Sequence, residues 1–260
     1  MTRFFFSVCV ASVLAFTSPA MAEPFNATYG LYAGGVRMIE VNANFDFNQQ
    51  YNVRTEAKTI GMFSKLLPWA GIFQTSGKAG FKPVRHDYEV TWRNKVETST
   101  FLYEPAGVFK SMTQTKDGET KENPIDLEIA KDTRDLLSTV SMMFDQYERT
   151  GKCAGDILTF DNARSFIVRF ADAGDGVMDN AKLSVYTGPA HACTVEIIPQ
   201  KGKWPKKPRG WLRIQEQAKA GGQLPVLWLA KPDANTPAIP VRVDIHTKFG
   251  NVIAHLSGLK

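Results

Sequence analysis

Cys153 and Cys193 are the residues of this 260-residue chain whose chemistry is simplest to name. The third cysteine, Cys9, lies in an N-terminal stretch expected to be removed, which leaves an even pair. Two cysteines in an oxidising compartment most simply form a structural disulfide. A redox or metal role is the sharper alternative. Neither cysteine belongs to a Cys-x-x-Cys pair, however, and His191 is the one histidine near them in sequence. No metal site is expected.

The histidines, His86, His191, His246 and His255, are scattered along the chain. There is no Gly-x-Ser-x-Gly, no His-Glu-x-x-His and no phosphate-binding loop ending in Gly-Lys-Ser/Thr. The expectation is therefore no catalytic residue, no cofactor and no enzyme. A hydrolase that sets one His beside a distant Ser, Asp or Glu is the third functional reading. Asp172 to Asn180 is rich in Asp and Gly, but it fails the ligand order of a calcium loop and reads as a solvated turn.

Two apolar stretches and one basic stretch carry more information. The run from Ile60 to Phe73 is greasy for a connection between strands. It reads either as a plug closing one end of a curled sheet or as an apolar mouth. In the second case Met62, Phe63, Leu66, Trp69 and Phe73 would meet a ligand, a lipid or a lipoprotein segment. Leu224 to Ala230 reads as a fully buried strand. The basic stretch holds Lys201, Lys203, Lys206, Lys207 and Arg209 beside Trp204 and Trp211. The chain has 31 Lys and Arg against 26 Asp and Glu, so these five cations match its whole excess of +5. The prolines among them predict a loop joining two strands. Either the loop is solvated with its Trp folded back on the core, or it touches membrane, cell wall or an acidic partner. Nucleic acid is not an expected partner.

The elements that would hold these residues follow from periodicity. Ile39, Val41, Ala43, Phe45 and Phe47 alternate with polar residues, the pattern of a strand with one buried face. Asp87 to Arg93 repeats it, and Asn94-Lys95 turns into a second strand, Val96 to Tyr103. Further strands are expected over 109–116, 165–170, 181–187, 193–198, 211–217, 226–231, 241–247 and 252–256. One amphipathic helix carries Leu136, Leu137, Val140, Met143, Phe144 and Tyr147, capped by Asp132 or Thr133 and stopped at Gly151. A short helix is expected over Met62 to Leu67. Residues 1–22 read as a cleaved signal peptide: Arg3, an apolar run, then Ala20-Met21-Ala22. The apolar run is too short to span a bilayer, so the mature chain is expected to be periplasmic with no transmembrane span. Residues 23–260 then form a single all-β domain. Its fold class is mainly β: a curved antiparallel sheet forming an open or spiral β-barrel, with one amphipathic helix.

The order of short motifs resembles the bacterial exported family catalogued as domain of unknown function 3108. The matching residues are Tyr29-Gly-Leu-Tyr-Ala-Gly-Gly35, Thr59-Ile-Gly61 leading to Leu67-Pro68, and Ser76-Gly77. Asp135-Leu-Leu-Ser138, Cys153, Phe160-Asp161 with Arg164, and Cys193 follow, then Ile239-Pro-Val-Arg242 before Thr247-x-x-Gly250. The chain departs from the pattern at Asn162-Ala163, where Gly-Arg is expected. The resemblance implies an envelope location and a curved antiparallel β architecture, and no activity. Together these readings describe a non-catalytic periplasmic envelope protein that binds an apolar ligand, lipid or lipoprotein segment within or at the mouth of its sheet. The alternative is an envelope-integrity or scaffolding protein contacting membrane or cell wall through the basic loop.

Overall fold

Fourteen strands pair in one antiparallel sheet in the computed structural model, which describes residues 23–47, 50–179, 182–207, 211–247 and 250–260. The expected signal peptide and Arg209 lie outside the described residues. Two meanders make the sheet. The first contains β1 (Phe25–Ala33), β2 (Val36–Phe47), β3 (Gln50–Thr59), β4 (Trp69–Lys78), β5 (Lys82–Trp92), β6 (Lys95–Tyr103), β7 (Phe109–Lys116) and β8 (Glu119–Glu122). The second contains β9 (Gly155–Phe160), β10 (Arg164–Met178), β11 (Gly188–Gly202), β12 (Val226–Ala230), β13 (Ile239–Thr247) and β14 (Gly250–Leu259). They join where β1 pairs with β14. The sheet stays open, with β8 at one edge and β9 at the other.

Side chains close the gap that hydrogen bonds leave. The ring of Phe160 on β9 lies 5.3 Å from Phe101 on β6 and 5.4 Å from Phe109 on β7. Arg134 covers the free edge of β9, donating from N to Leu158 O at 2.9 Å and accepting from Phe160 N at 2.8 Å. The far edge, β8, is wholly exposed and carries Glu119, Lys121 and Glu122, charges that discourage a further strand from adding there.

The amphipathic helix α2 (Leu136–Thr150) lies inside the curl. Its apolar stripe puts Met143 and Phe144 into the main core with Phe25, Phe45 and Leu256. Polar side chains set its register: Tyr51 Oη is 2.7 Å from Ser138 Oγ, and Thr139 Oγ1 is 2.8 Å from Thr159 Oγ1. Its cap is Asp135, which accepts from Ser138 N at 2.9 Å, and neither Asp132 nor Thr133. Gly151 ends it at φ 66°, a left-handed stop where glycine carries no Cβ penalty. Beyond it, Cys153 is disulfide-bonded to Cys193 of β11, with Cα atoms 5.9 Å apart.

Several local expectations change. Residues 211–217 form the start of helix α3 (Trp211–Ala220), not a strand. The basic stretch therefore joins β11 to a helix instead of linking two strands. Residues 182–187 are not a strand, and Ala181 lies outside the described residues. The Asp/Gly-rich segment is no turn: Asp172 to Met178 continues β10 against β11, with a register shift between Asp172 and Asp175. The short helix α1 (Gly61–Leu66) is present but buries none of its residues. It sits on the rim of the sheet and does not plug it.

Candidate functional site

A cavity of 940 Å³ lies between α2 and the concave face of β10 to β13. Phe166, Val168 and Phe170 of β10 and Val195 and Ile197 of β11 form one wall, because alternate residues of a strand share a face. Leu136 and Val140 of α2 form the opposite wall. Trp204 and Leu212 reach over from the basic stretch and α3. The Trp204 ring meets Phe166 edge-on at 6.2 Å and lies under the Arg164 guanidinium at 4.5 Å. Lys203 and Arg164 also line this space, giving the apolar hollow cationic neighbours. Arg164 is shared with Asp161, whose carboxylate accepts from Nε at 2.8 Å. Burial pushes the Asp161 pKa up against the pull of Arg164.

A second pocket, of 410 Å³, lies on the other side of Leu136, and Leu136 and Asp161 line both spaces. Phe73, Tyr88, Val90, Phe101 and Phe160 supply much of its wall, with His86, Glu97 and Asn162 as polar members. His86 belongs to a buried relay. Its Nδ1 is 2.7 Å from Thr75 Oγ1, which donates to Asp135 Oδ1 at 2.7 Å. Burial is the main cause holding the His86 pKa below its ordinary value, against the nearby carboxylates of Asp135 and Asp87. Asn162 takes φ 74°, the left-handed region that glycine favours, so the departure from the family's Gly keeps the turn. Its amide donates to Tyr88 Oη, which in turn donates to Glu97 Oε1 at 2.9 Å.

This arrangement bears on the hydrolase reading. A histidine does stand beside an acid in a pocket, but the hydroxyls of Thr75 and Ser138 bond Nδ1 and the carboxylate, not Nε2. Among the described residues no Ser, Thr or Cys hydrogen-bonds the ring nitrogen that faces away from Asp135, the place a nucleophile would occupy. His191 sits in a different acidic setting: Nδ1 is 2.7 Å from Asp175 Oδ1, and Nε2 is 3.0 Å from Asp172 Oδ1. Burial lowers its pKa, but the two carboxylates outweigh that and leave it raised. Cys153 and Asp172 lie close enough to His191 to resemble a ligand set. The cysteine is disulfide-bonded and both ring nitrogens already face carboxylates, so this cluster offers a metal little.

The residues singled out from sequence do not gather in one place. Of Met62, Phe63, Leu66, Trp69 and Phe73, Phe73 lines the smaller pocket. Met62 and Leu66 are 64% and 61% exposed on α1, and Phe63 is half-buried. Trp69 pairs with Trp92 across β4 and β5 at the rim. In the basic stretch Lys201 donates from Nζ to Glu128 O at 3.2 Å, Lys203 borders the larger cavity, and Lys206 and Lys207 are exposed. Sequence reasoning missed the cavity walls because each is an ordinary strand position. Their shared hollow exists only after β10 to β13 curl around α2.

Fold and site together define a class: a curled, open antiparallel sheet wrapped around one helix, with an apolar hollow on each side of Leu136. The chain belongs to the protein family of unknown function DUF3108, which it matches over residues 25–257. No curated protein sequence matches it. A similar solved structure is the beta-barrel-like protein of domain of unknown function DUF1849 from Brucella abortus, at 10% identity and a TM-score of 0.49, covering 92% of this chain and 98% of that one.

Proposed function

We propose that the protein is a non-catalytic periplasmic envelope protein that holds an apolar ligand, a lipid or the acylated segment of a lipoprotein, inside its curled sheet. The observation that carries this reading is the 940 Å³ cavity, walled by apolar strand residues and bordered by Lys203 and Arg164. Its size falls in the range of about 300–1,000 Å³ found for small-molecule sites. Apolar walls supply the affinity, and the two cations suit the anionic end of an amphiphile. The exposed Met62 and Leu66, together with Lys65 between them, give the rim an apolar and basic character where such a molecule would be met.

Native mass spectrometry of protein purified from membrane extracts tests the proposal. Wild-type chains should carry a bound lipid or lipoprotein fragment, and Val168→Trp, which fills the cavity, should lose it. Wild-type protein that is always bare would refute the reading. The scaffolding alternative keeps one supporting observation, the exposed Lys206 and Lys207. Changing Lys201, Lys203, Lys206, Lys207 and Arg209 to Gln should then weaken sedimentation with anionic vesicles or wall fragments, and unchanged sedimentation removes that alternative.

A further inference from the structure

We infer that the 410 Å³ pocket beside His86 is a second binding site, which takes the hydroxyl group of an otherwise apolar molecule with His86 Nε2 as its acceptor. Counting protons around the relay fixes this polarity. The Asp135 carboxylate accepts from Ser138 N at 2.9 Å, from Ser138 Oγ at 2.5 Å and from Thr75 Oγ1 at 2.7 Å. Thr75 has one hydroxyl proton, and it goes to Asp135. Its oxygen must therefore accept from His86 Nδ1, 2.7 Å away. In a neutral imidazole protonated on Nδ1, the free lone pair is on Nε2.

Two further observations agree. His86 is 5% exposed and lines the pocket, while Nε2 has no hydrogen-bond partner among the described residues. An acceptor left open on a largely apolar pocket wall is the group that an entering hydroxyl would bond. The two carboxylates on the pocket wall are already engaged: Glu97 Oε1 by Tyr88 Oη and Gln114 Nε2, and Asp161 Oδ2 by Arg164. The pocket wall contains carboxylates and no Lys or Arg, which disfavours an anionic group and leaves a neutral donor as the fitting partner. Phe73, Phe101, Phe160 and Leu136 supply apolar surface for the rest of that molecule. This inference does not depend on what fills the larger cavity, because the acceptor belongs to the smaller pocket alone.

The test compares two isomeric probes, 1-octanol and 1-methoxyheptane, which differ in having or lacking a donor. Histidine-¹⁵N-labelled protein at pH 7.5 is titrated with each, and the Nε2 resonance of His86 is followed. Octanol should shift that resonance and bind roughly tenfold more tightly than the ether, the ratio expected of one good hydrogen bond. His86→Leu should abolish the preference, and the wild-type resonance gives the answer even if that variant folds poorly. Equal affinity for the two isomers overturns the inference. So does an Nε2 resonance that stays fixed while octanol binds elsewhere, which would leave water as the acceptor's partner. Displacement of an apolar dye from the larger cavity, measured in parallel, reports on the proposed function separately.

Discussion

The Arg164 guanidinium lies 4.5 Å over the indole of Trp204, and that indole donates from Nε1 to Lys201 O at 3.1 Å. Both contacts turn the only tryptophan described within the basic stretch inward, onto β10. The cations nearby therefore border a cavity at the point where Trp204 covers it, and the two sequence features, basic and apolar, become parts of one site.

Removing the cover should show this. Trp204→Ala takes away a half-buried ring whose loss should cost on the order of 2 kcal/mol, less than a fully buried aromatic. Its larger effect should be on binding, with the affinity of an apolar dye falling several-fold. Arg164→Leu should cost roughly 1 kcal/mol through the lost cation–π contact and the unpaired Asp161. Denaturant unfolding and dye titration of both variants check the pair. Dye affinity unchanged in Trp204→Ala would remove Trp204 from the site.

Leu136 gives a prediction of a different kind. It is 48% exposed although it begins a helix enclosed by the sheet, since its side chain stands between the two hollows. Leu136→Ala should therefore cost less than about 1 kcal/mol, well under the 2–5 of a packed core leucine. It should also merge the two spaces and let longer apolar chains bind. Leu136→Trp should exclude them. A thermal melt combined with a chain-length series of fatty alcohols measures both consequences.

Much of this architecture was legible in the sequence, and the exceptions have physical causes. Strict alternation from Ile39 to Phe47 became β2, and the Leu136–Tyr147 stripe became α2, because one buried face imposes its period on the residue pattern. Helix α3 was missed because its buried face is carried partly by a polar residue. Gln215 is 4% exposed, accepting from Ile197 N at 2.6 Å and donating to Ile197 O at 2.9 Å. A buried Gln satisfied by backbone looks, in sequence, like a break in the pattern. Asp172 to Gly176 failed in the opposite sense. Turn-forming residues there stay in a strand because β11 pairs with them across a register shift and His191 bonds Asp172 and Asp175. The His86 relay joins β4, β5 and the cap of α2, positions no local spacing connects.

The disulfide should matter mainly to the unfolded chain. Cys153 and Cys193 are separated by 40 residues, and closing such a loop stabilises by about 4 kcal/mol in the chain-entropy account. Adding reductant should lower the guanidinium midpoint accordingly, and Cys153→Ser/Cys193→Ser should match reduced wild type. A free-thiol signal from unreduced protein would contradict the bridge.

Two histidines should give stability opposite pH dependences. His86 has its pKa lowered by burial, so its contribution is present above the unfolded value of about 6.5 and is lost as pH falls below it. For His191, burial lowers and Asp175 and Asp172 raise, with a net raised pKa. Its contribution is complete below about 6.5 and is lost as pH rises through the higher folded value. His191→Gln should thus lose more stability relative to wild type at pH 6 than at pH 8. Parallel melting curves at the two pH values would exclude the His191 ion pairs as a source of stability.

Asp135 should be the most costly single polar residue to remove. It is fully buried, caps α2, and accepts from Ser138 N, Ser138 Oγ and Thr75 Oγ1. Asp135→Ala deletes the cap and strands those donors, for a loss of about 3 kcal/mol. Asp135→Asn keeps Oδ1 for Ser138 N and Thr75 Oγ1, which share it, and turns its amide toward Ser138 Oγ, which must then accept and direct its own proton to Tyr51 Oη. Thr75 keeps Oδ1 as its acceptor, so the proton on His86 Nδ1 stays in place and the imidazole tautomer should be unchanged in Asp135→Asn, whereas Asp135→Ala frees the Thr75 proton to turn to Nδ1. Guanidinium unfolding gives the first effect and ¹⁵N shifts of His86 give the second. A loss under 1 kcal/mol in Asp135→Ala, or a tautomer that changes in Asp135→Asn, would break the link between the helix cap and the pocket that His86 faces.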